Sequence, residues 1–97
     1  MVKLALLVRL EAKPGKEQEL IDFVKSALPL AEQEQDTVNW YAFSLGPSSV
    51  GIFDTFENEE GRQAHLGGQI AKALMEKAPE LLAEAPIIKH AELLAIK

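Results

Sequence analysis

Hydrophobic and polar residues alternate along the 97-residue chain with two periods, one typical of strands and one typical of helices. Four runs rich in apolar, β-branched and aromatic residues predict strands at 2–10, 37–45, 49–56 and 87–96. After a turn at 13–16, apolar residues recur at helical spacing over 20–31 and again over 58–78. The predicted order is therefore β-α-β-β-α-β, the split βαβ pattern of a ferredoxin-like α+β sandwich with an antiparallel sheet.

Proline, asparagine and glycine mark where the predicted helices begin and end. Pro29 is expected to kink or end the first helix. Asn58 is a good residue to start the second helical region, because its side chain can accept a backbone N–H. Gly67 and Gly68 are expected to break that region, and Pro79 fits the first position of a further short helical turn.

Each predicted strand contains two adjacent apolar residues, and neighbouring residues of a strand point to opposite faces of the sheet. The pairs are Leu6-Leu7, Trp40-Tyr41, Ile52-Phe53 and Leu93-Leu94. Both faces are therefore expected to be apolar, whereas the helices can cover only one of them. The simplest cover for the other face is a second copy of the same sheet, so we expect a homodimer.

Composition narrows the classes of function. The length allows one domain, residues 1–97. The net charge of −5 and the scattered basic residues argue against nucleic acid or an anionic membrane as a partner. The absence of cysteine excludes disulfides, thiolate metal sites and cysteine nucleophiles. The N-terminal apolar run is interrupted by Arg9 and is too short for a signal peptide or a membrane span, so a cytoplasmic protein is expected.

The two strands of the predicted hairpin contain most of the aromatic side chains. The only Trp, the only Tyr and three of the four Phe lie within 39–43 and 51–56, and His65 follows on the next helical segment. Aromatic walls beside one titratable group are what a pocket for a flat organic molecule requires. Ordinary core packing would use the same residues.

Four motifs follow one another in an order that resembles that of a known family, and the resemblance spans nearly the whole chain. They are 12–16 after the first strand, Trp40-Tyr41, 53–57, and Ala64-His65-Leu66 before an apolar helix. In order and spacing they resemble the antibiotic biosynthesis monooxygenase superfamily of dimeric α/β barrels. The resemblance implies a homodimer with a pocket between each sheet and its helices. It also implies oxygenation of quinol-like or polyphenolic anions without metal, flavin or other cofactor.

The chain departs from this family at several positions. Many members end the third strand with Glu-x-Trp, whereas this chain has Asp54 and Phe56. Some relatives degrade haem, and those carry a His near the position of Met75 and an Asn near that of Val8. These departures argue against haem, so the expected cofactor is none.

His65 and Asp54 are the candidate catalytic residues. An imidazole beside an aromatic pocket could remove a phenolic proton, since its ordinary pKa of about 6.5 lies near neutral pH, and the resulting anion could pass an electron to oxygen. Alternatively, His65 bonds free carbonyls at a helix end. Asp54 could assist proton transfer, although a structural ion pair with Arg9 or Arg62 is the simpler interpretation.

Four further residues are candidates for contact with the substrate: Asn39, Trp40, Tyr41 and Phe56. Asn39 could hold a substrate oxygen or superoxide, or it could face solvent at a strand edge. Trp40 and Tyr41 point to opposite faces of their strand, so at most one of them lines a given pocket. Core or interface packing is an open alternative for each ring.

A metal site is not expected from the sequence. His65 and His90 show no HxH, HxxxH or HxxE spacing, and His90 is expected at the surface or an interface of the last strand.

Three functional hypotheses remain. The first is a homodimeric, cofactor-independent monooxygenase-like oxidoreductase that acts on a small aromatic, quinol or polyphenolic compound. The second is a non-catalytic dimeric barrel that binds a small hydrophobic ligand. The third is a structural or stress-related dimer without pocket chemistry. A cavity that His65 or Asp54 reaches would favour the first, an apolar cavity the second, and a filled interior the third.

Overall fold

A four-stranded antiparallel sheet with helices packed on one face forms the fold, in a computed structural model that describes residues 2–97. The strands are β1 (Leu4–Glu11), β2 (Thr37–Ser44), β3 (Ser49–Phe56) and β4 (Ile87–Glu92). The helices are α1 (Glu17–Ser26), α2 (Leu28–Gln33), α3 (Glu59–Leu66) and α4 (Gln69–Leu81). The strand order is β2-β3-β1-β4, with every neighbouring pair antiparallel. The predicted ferredoxin-like α+β fold is confirmed.

The even-numbered residues of the strands face the helices, except at the start of β2, where a bulge between Thr37 and Asn39 turns Thr37 to the same side. The largest core cluster combines such strand residues with apolar residues of α1 and α4: Val8, Leu10, Val50, Ile52, Leu20, Val24, Leu74 and Leu81. Because side chains alternate along a strand, the odd-numbered residues lie on the other face, where Leu7, Tyr41 and Phe43 are exposed. We call the two surfaces the helix-covered face and the open face.

Most helix boundaries lie where they were predicted. Pro29 lies in the first turn of α2, where its missing N–H breaks no helical hydrogen bond, and the chain bends between α1 and α2 just before it. At the start of α3, Asn58 Oδ1 accepts the backbone N–H of Gly61 at 2.9 Å. Gly67 and Gly68 separate α3 from α4.

The prediction for Pro79 is wrong. Pro79 does not start a separate turn but lies inside α4, close to its C-terminal end. The apolar stripe that includes Leu74 and Leu81 continues through this position into the core, and its burial outweighs the lost helical hydrogen bond. No helix among residues 2–97 has the length and apolar character needed to cross a membrane.

The predicted last strand is too long. β4 ends at Glu92 because its only neighbour, β1, begins at Leu4, which lies directly opposite Glu92. The apolar pair Leu93-Leu94 therefore lies outside the sheet, and Leu94 is 94% exposed. The ends of β1 and β2 differ from the predicted ends by no more than two residues.

Candidate functional site

His65 lies between two carboxylates on the helix-covered side of the sheet. Its Nε2 atom is 2.9 Å from Asp54 Oδ2, and its Nδ1 atom is 2.6 Å from Glu34 Oε1. Thr37 Oγ1 donates to the same Glu34 oxygen at 2.8 Å. Asp54 is fully buried and His65 is 8% exposed. We call these four residues the carboxylate–imidazole cluster.

Three elements of the fold bring this cluster together. Asp54 occupies an even position of β3 and therefore projects towards the helices. His65 is in the last turn of α3, which turns its ring back to the sheet, 5.4 Å from the ring centre of Phe56. Glu34 is the C-cap residue of α2, just before β2. The site therefore depends on the packing of α2 and α3 against one side of the same sheet.

The cluster stabilises a proton on His65. Burial alone would lower the pKa of His65, but the short contacts and negative charges of Asp54 and Glu34 outweigh burial and raise the pKa to about 9. The ring is therefore an imidazolium at neutral pH. With two carboxylates around one imidazolium, negative charge is in excess at the site.

Asp54 makes an ion pair with His65 rather than a well-aligned hydrogen bond. Although the two atoms are 2.9 Å apart, neither oxygen of Asp54 accepts a well-formed hydrogen bond from any residue in 2–97. The predicted pairing of Asp54 with Arg9 or Arg62 is wrong. Arg62 donates instead to Glu59, with 2.6 Å between Nη2 and Oε1, because both lie on α3 one turn apart.

The alternative in which His65 bonds carbonyls at a helix end is also wrong. Both ring nitrogens contact carboxylates, and the carbonyl of Gln63 accepts the backbone N–H of Gly67 instead. His65 is therefore tied to Glu34 and Asp54, on other elements of the fold, rather than to the end of its own helix.

Two cavities adjoin Glu34. One, of about 450 Å³, lies beside α2 and the start of β2 and is lined by Leu28, Ala31, Val38, Glu34, Thr37 and Trp40 among others. The other, of about 130 Å³, reaches the imidazole of His65. Glu34 Oε2 accepts no hydrogen bond from the described residues and lies near the start of α4, where a Cβ added at Gly68 would be 3.2 Å away. Glu34 thus has one oxygen without a hydrogen bond from the described residues, and it lines both cavities.

The four predicted substrate residues divide between the two faces of the sheet. Trp40 and Phe56 lie on the helix-covered face with the cluster. Asn39 and Tyr41 lie on the open face, where Asn39 Oδ1 accepts the hydroxyl of Thr55 at 2.9 Å. The structure therefore does not bring all four residues to one site.

The open face carries a groove of about 770 Å³. Asn39, Tyr41, Phe53 and Thr55 of the sheet line it together with residues 93–96. Unlike the carboxylate–imidazole cluster, this groove has no histidine and no carboxylate among its lining residues. His90 is exposed on β4, and no group of His, Cys, Asp and Glu in the described chain is arranged to hold a metal ion.

Sequence reasoning missed Glu34. The residue lies in the polar stretch 32–36, whose composition is typical of a solvated loop. One local signal was present, because an acidic residue at a helix C-terminus opposes the helix dipole and calls for a compensating cation. The sequence could not identify that cation as His65, which is 31 positions away.

Comparison with known proteins shows which proteins the chain is related to, but it does not establish an activity. No family model and no curated protein matches it. It is 60% identical to NE2512, a protein of unknown function from Nitrosomonas europaea, with a TM-score of 0.98 and coverage of 100% of this chain and 94% of that chain. It also resembles Rv0793 from Mycobacterium tuberculosis, with 14% identity, a TM-score of 0.86 and 97% of each chain covered. A solved antibiotic biosynthesis monooxygenase matches with 10% identity, a TM-score of 0.81 and coverage of 95% of this chain and 99% of that chain. At these low identities, the last two likenesses show a shared fold.

Proposed function

The chain belongs to the family of the Nitrosomonas europaea protein NE2512, and we propose that it oxygenates a small phenolic or quinol compound without a bound cofactor. The observation that carries the proposal is the carboxylate–imidazole cluster, whose Asp54 and His65 are buried and whose Glu34 lines a cavity together with Trp40. The fold, shared with a solved antibiotic biosynthesis monooxygenase, supports it.

Glu34 is the group that we assign to proton transfer from the substrate. Its Oε1 atom is held by Thr37 and His65, whereas Oε2 accepts no hydrogen bond from the described residues, and Glu34 lines both cavities. A base must come within hydrogen-bond reach of the proton that it removes, and a ligand in the 450 Å³ cavity meets Glu34 directly. Removal of the phenolic proton gives the electron-rich anion that can react with oxygen.

In this proposal His65 supplies charge rather than acting as the base. With a pKa of about 9 it is already protonated at neutral pH, and both of its nitrogens contact carboxylates. Its positive charge offsets the negative charge that develops on the substrate, an effect that is large where water is excluded. Asp54 holds the imidazolium in place from the other side.

The reaction balances with oxygen as the only co-substrate. One electron passes from the phenolate to O₂, and recombination of the two radicals forms a C–O bond at a ring carbon that carries hydrogen. Loss of water from the resulting peroxide leaves a carbonyl group, so that a quinone forms. One oxygen atom enters the product and the other leaves as water, to which Glu34 returns its proton. All the electrons come from the substrate.

Oxygen uptake tests this proposal. Purified protein is mixed with a panel of quinols and naphthols without flavin, nicotinamide or metal, and the uncatalysed rate is subtracted. Loss of a general base costs about 10²–10⁴-fold, so Glu34→Gln should lower turnover by that factor. Glu84→Gln, the same change at an exposed position, should have no effect. Absence of catalysed uptake across the panel would contradict the proposal.

We also propose that a second copy of the chain covers the open face. Leu7 in the middle of the central strand β1 is 43% exposed, and Tyr41 and Ile87 on the edge strands are 56% and 40% exposed. These residues lie on one face, where a contiguous apolar surface is a common mark of an interface. Their exposure agrees with the homodimer expected from the two-sided apolar pattern.

The groove of the open face supports the alternative function, binding of a small hydrophobic ligand without catalysis. Its volume of about 770 Å³ is within the range of ligand sites, and its walls combine apolar side chains with the polar groups of Asn39 and Tyr41. A ligand whose binding is weakened by Tyr41→Ala but unchanged by Glu34→Gln, and which drives no oxygen uptake, would favour this alternative.

A further inference from the structure

The open face differs in charge from the chain as a whole. The chain has a net charge of −5, yet Lys3, Arg9 and Lys89 lie exposed on this face. Among the odd-numbered residues of the four strands the one acidic residue is Glu11, and its carboxylate already accepts from two serine hydroxyls. The open face is therefore locally positive, and an anion complements it.

Lys3 brings this positive charge into the groove of the open face. Among the described residues that line the 770 Å³ groove, it is the only charged one. Its ammonium group forms no ion pair with another described residue. The charge is therefore available to a molecule that enters the groove.

Asn39 adds a hydrogen-bond donor to the lining of the groove. The hydroxyl of Thr55 accepts the backbone N–H of Asn39 at 3.1 Å and donates to Asn39 Oδ1 at 2.9 Å. These two bonds hold Oδ1 on the side of Thr55. The amide nitrogen Nδ2, which can only donate, is left without a partner among the described residues. An amide donor and an ammonium group thus line the same groove.

The register places Lys3 and Asn39 at the same end of the groove. Thr55 is opposite both Asn39 on β2 and Ala5 on β1, and Lys3 lies two positions before Ala5. Two strand spacings and two residue rises therefore separate the backbones of Lys3 and Asn39, which amounts to about 12 Å. The flexible four-carbon stem of lysine covers much of this separation, so a carboxylate group can lie between the ammonium and the amide.

The rest of the groove is largely apolar. Tyr41 and Phe53 are opposite each other in the register, one row further along the open face. The segment after β4 forms another wall, in which Leu94 is 94% exposed and Ile96 is 59% exposed. A ligand with an apolar body would cover these side chains, and the groove volume is within the range of sites for small molecules.

An amphipathic carboxylate fits these features better than a ligand of another charge. A cation would be repelled by Lys3, and a neutral alcohol would bond Asn39 but leave the ammonium group unpaired. A small inorganic anion would pair with Lys3 but leave the apolar walls exposed. One cation in the lining calls for one negative charge on the ligand.

We infer that the groove of the open face binds a small molecule with one carboxylate group and an apolar body. Lys3 and Asn39 hold the carboxylate, and Tyr41 and Phe53 pack against the body. This inference rests on the alternative function proposed for the groove, not on oxygenation at the helix-covered face. Leu7, the centre of the proposed dimer surface, does not line the groove, so the ligand site lies towards one end of that surface.

Three ligands of equal chain length separate the effect of head-group charge from that of apolar burial. They are octanoate, octan-1-ol and octylammonium. In calorimetric titrations octanoate should bind at least about five-fold more tightly than octan-1-ol, as for one ion pair at an exposed site. Octylammonium should bind most weakly. Because the net charge of −5 attracts cations non-specifically, a preference for octanoate reports the local charge of the groove.

Nuclear magnetic resonance locates the bound carboxylate. Asn39 and Asn58 are the asparagines of the chain, so selective ¹⁵N-asparagine labelling gives one side-chain amide pair for each. Octanoate should shift the Asn39 pair in a saturable manner. Asn58 caps α3 and does not line the groove, so its pair should stay in place.

Two variants assign the preference for an anion to the two residues. Lys3→Gln should bring octanoate and octan-1-ol to within about two-fold of each other, whereas Lys72→Gln, on the exposed surface of α4, should keep the preference. Asn39→Asp replaces the amide donor by a second negative charge and should weaken octanoate about ten-fold. Asn58→Asp is the matched control, because aspartate also caps a helix, and it should have no effect.

Three results would overturn the inference. They are equal or tighter binding of octan-1-ol or octylammonium, an Asn39 amide pair that octanoate does not move, and an octanoate affinity that falls as the protein concentration rises. The last result would mean that a second copy of the chain occupies the groove. Equal binding of octanoate and octan-1-ol would leave the alternative function in place, whereas no binding of either would refute both.

Discussion

The two faces of the sheet meet the same physical problem, apolar side chains that need cover, in different ways. On the helix-covered face, the chain's own helices bury the core and enclose three charged groups, Glu34, Asp54 and His65. On the open face, apolar side chains such as Leu7 and Tyr41 are left exposed. The difference teaches that charged groups are paired where the chain's own helices cover the sheet, and that apolar surface stays exposed where no helix covers it.

Removal of the cation from the carboxylate–imidazole cluster on the helix-covered face should have the largest effect on folding. His65→Leu leaves Glu34 and Asp54 close together without a counter-charge, which for a buried pair costs about 3–5 kcal/mol in the free energy of unfolding. Urea unfolding at equal protein concentrations measures the loss. His90→Leu, the same change at an exposed position, should stay within about 0.5 kcal/mol. A loss below about 1 kcal/mol for His65→Leu would mean that the cluster is not coupled to stability.

A charge placed on the open face should weaken the proposed dimer. Leu7→Glu puts a carboxylate at the centre of the exposed apolar surface, so the dissociation constant of the proposed dimer should rise at least about ten-fold, equivalent to about 1.4 kcal/mol. Light scattering should give about twice the 10.7 kDa chain mass for the unchanged protein and the single-chain mass for dilute Leu7→Glu.

Met75→Glu is the matched control for Leu7→Glu. Met75 is 59% exposed on α4, outside the open face, so this change should leave the mass unchanged. A wild-type protein that is monomeric at micromolar concentration would contradict the dimer.

The pH dependence of folding between about pH 6.5 and 9 sharpens the contrast, because it arises from His65 on the helix-covered face. The pKa of His65 is raised from 6.5 to about 9 in the folded chain. Between these pH values the folded state holds a proton that the unfolded state releases, so stability is full below about 6.5 and falls as pH rises through about 9. The slope is at most about 1.4 kcal/mol per pH unit. Urea unfolding at several pH values should show this slope, and His65→Leu should lack it. An equal slope in the variant would place its origin elsewhere.

The smallest expected effect concerns a close contact on the open face. A Cβ at Gly51 would lie 2.2 Å from Cε1 of Phe43, so Gly51→Ala must displace that ring. Because Phe43 is 38% exposed, the ring has room to move, and the cost should be about 0.5–1 kcal/mol. Thermal unfolding measures it. The cost should vanish in a Phe43→Ala background, and a cost that persists there would point to the backbone of β3 instead.

Local patterns were sufficient to predict most of the fold. The Asn58 cap, the break at Gly67 and Gly68, and the hairpin strands all depend on residues close to one another in the chain. Pro79 and the end of β4 could not be predicted in this way. The first is held in α4 by core packing, and the second is set by where β1 begins.

The candidate site was predicted only in part. Asp54 was identified because it lies among Ile52, Phe53 and Phe56. His65 was identified because it follows the aromatic strands on the next helical segment, and the structure places its Nε2 atom 2.9 Å from Asp54 Oδ2. That Trp40 shares their face while Tyr41 does not depends on which side of the sheet the helices occupy. Alternation along a strand separates the two residues but cannot say which of them faces the cluster.

The sequence by itself determined the order of elements, the two-sided apolar sheet and the lack of cysteine chemistry, because periodicity and composition are properties of neighbouring residues. Only the tertiary structure decided that Glu34 joins His65 and Asp54, and that the imidazole is charged at neutral pH. The physical reason is that a pKa depends on charges within a few ångströms, whichever part of the chain supplies them. Those charges come from α2 and β3, and they meet at α3 only when the sheet is covered.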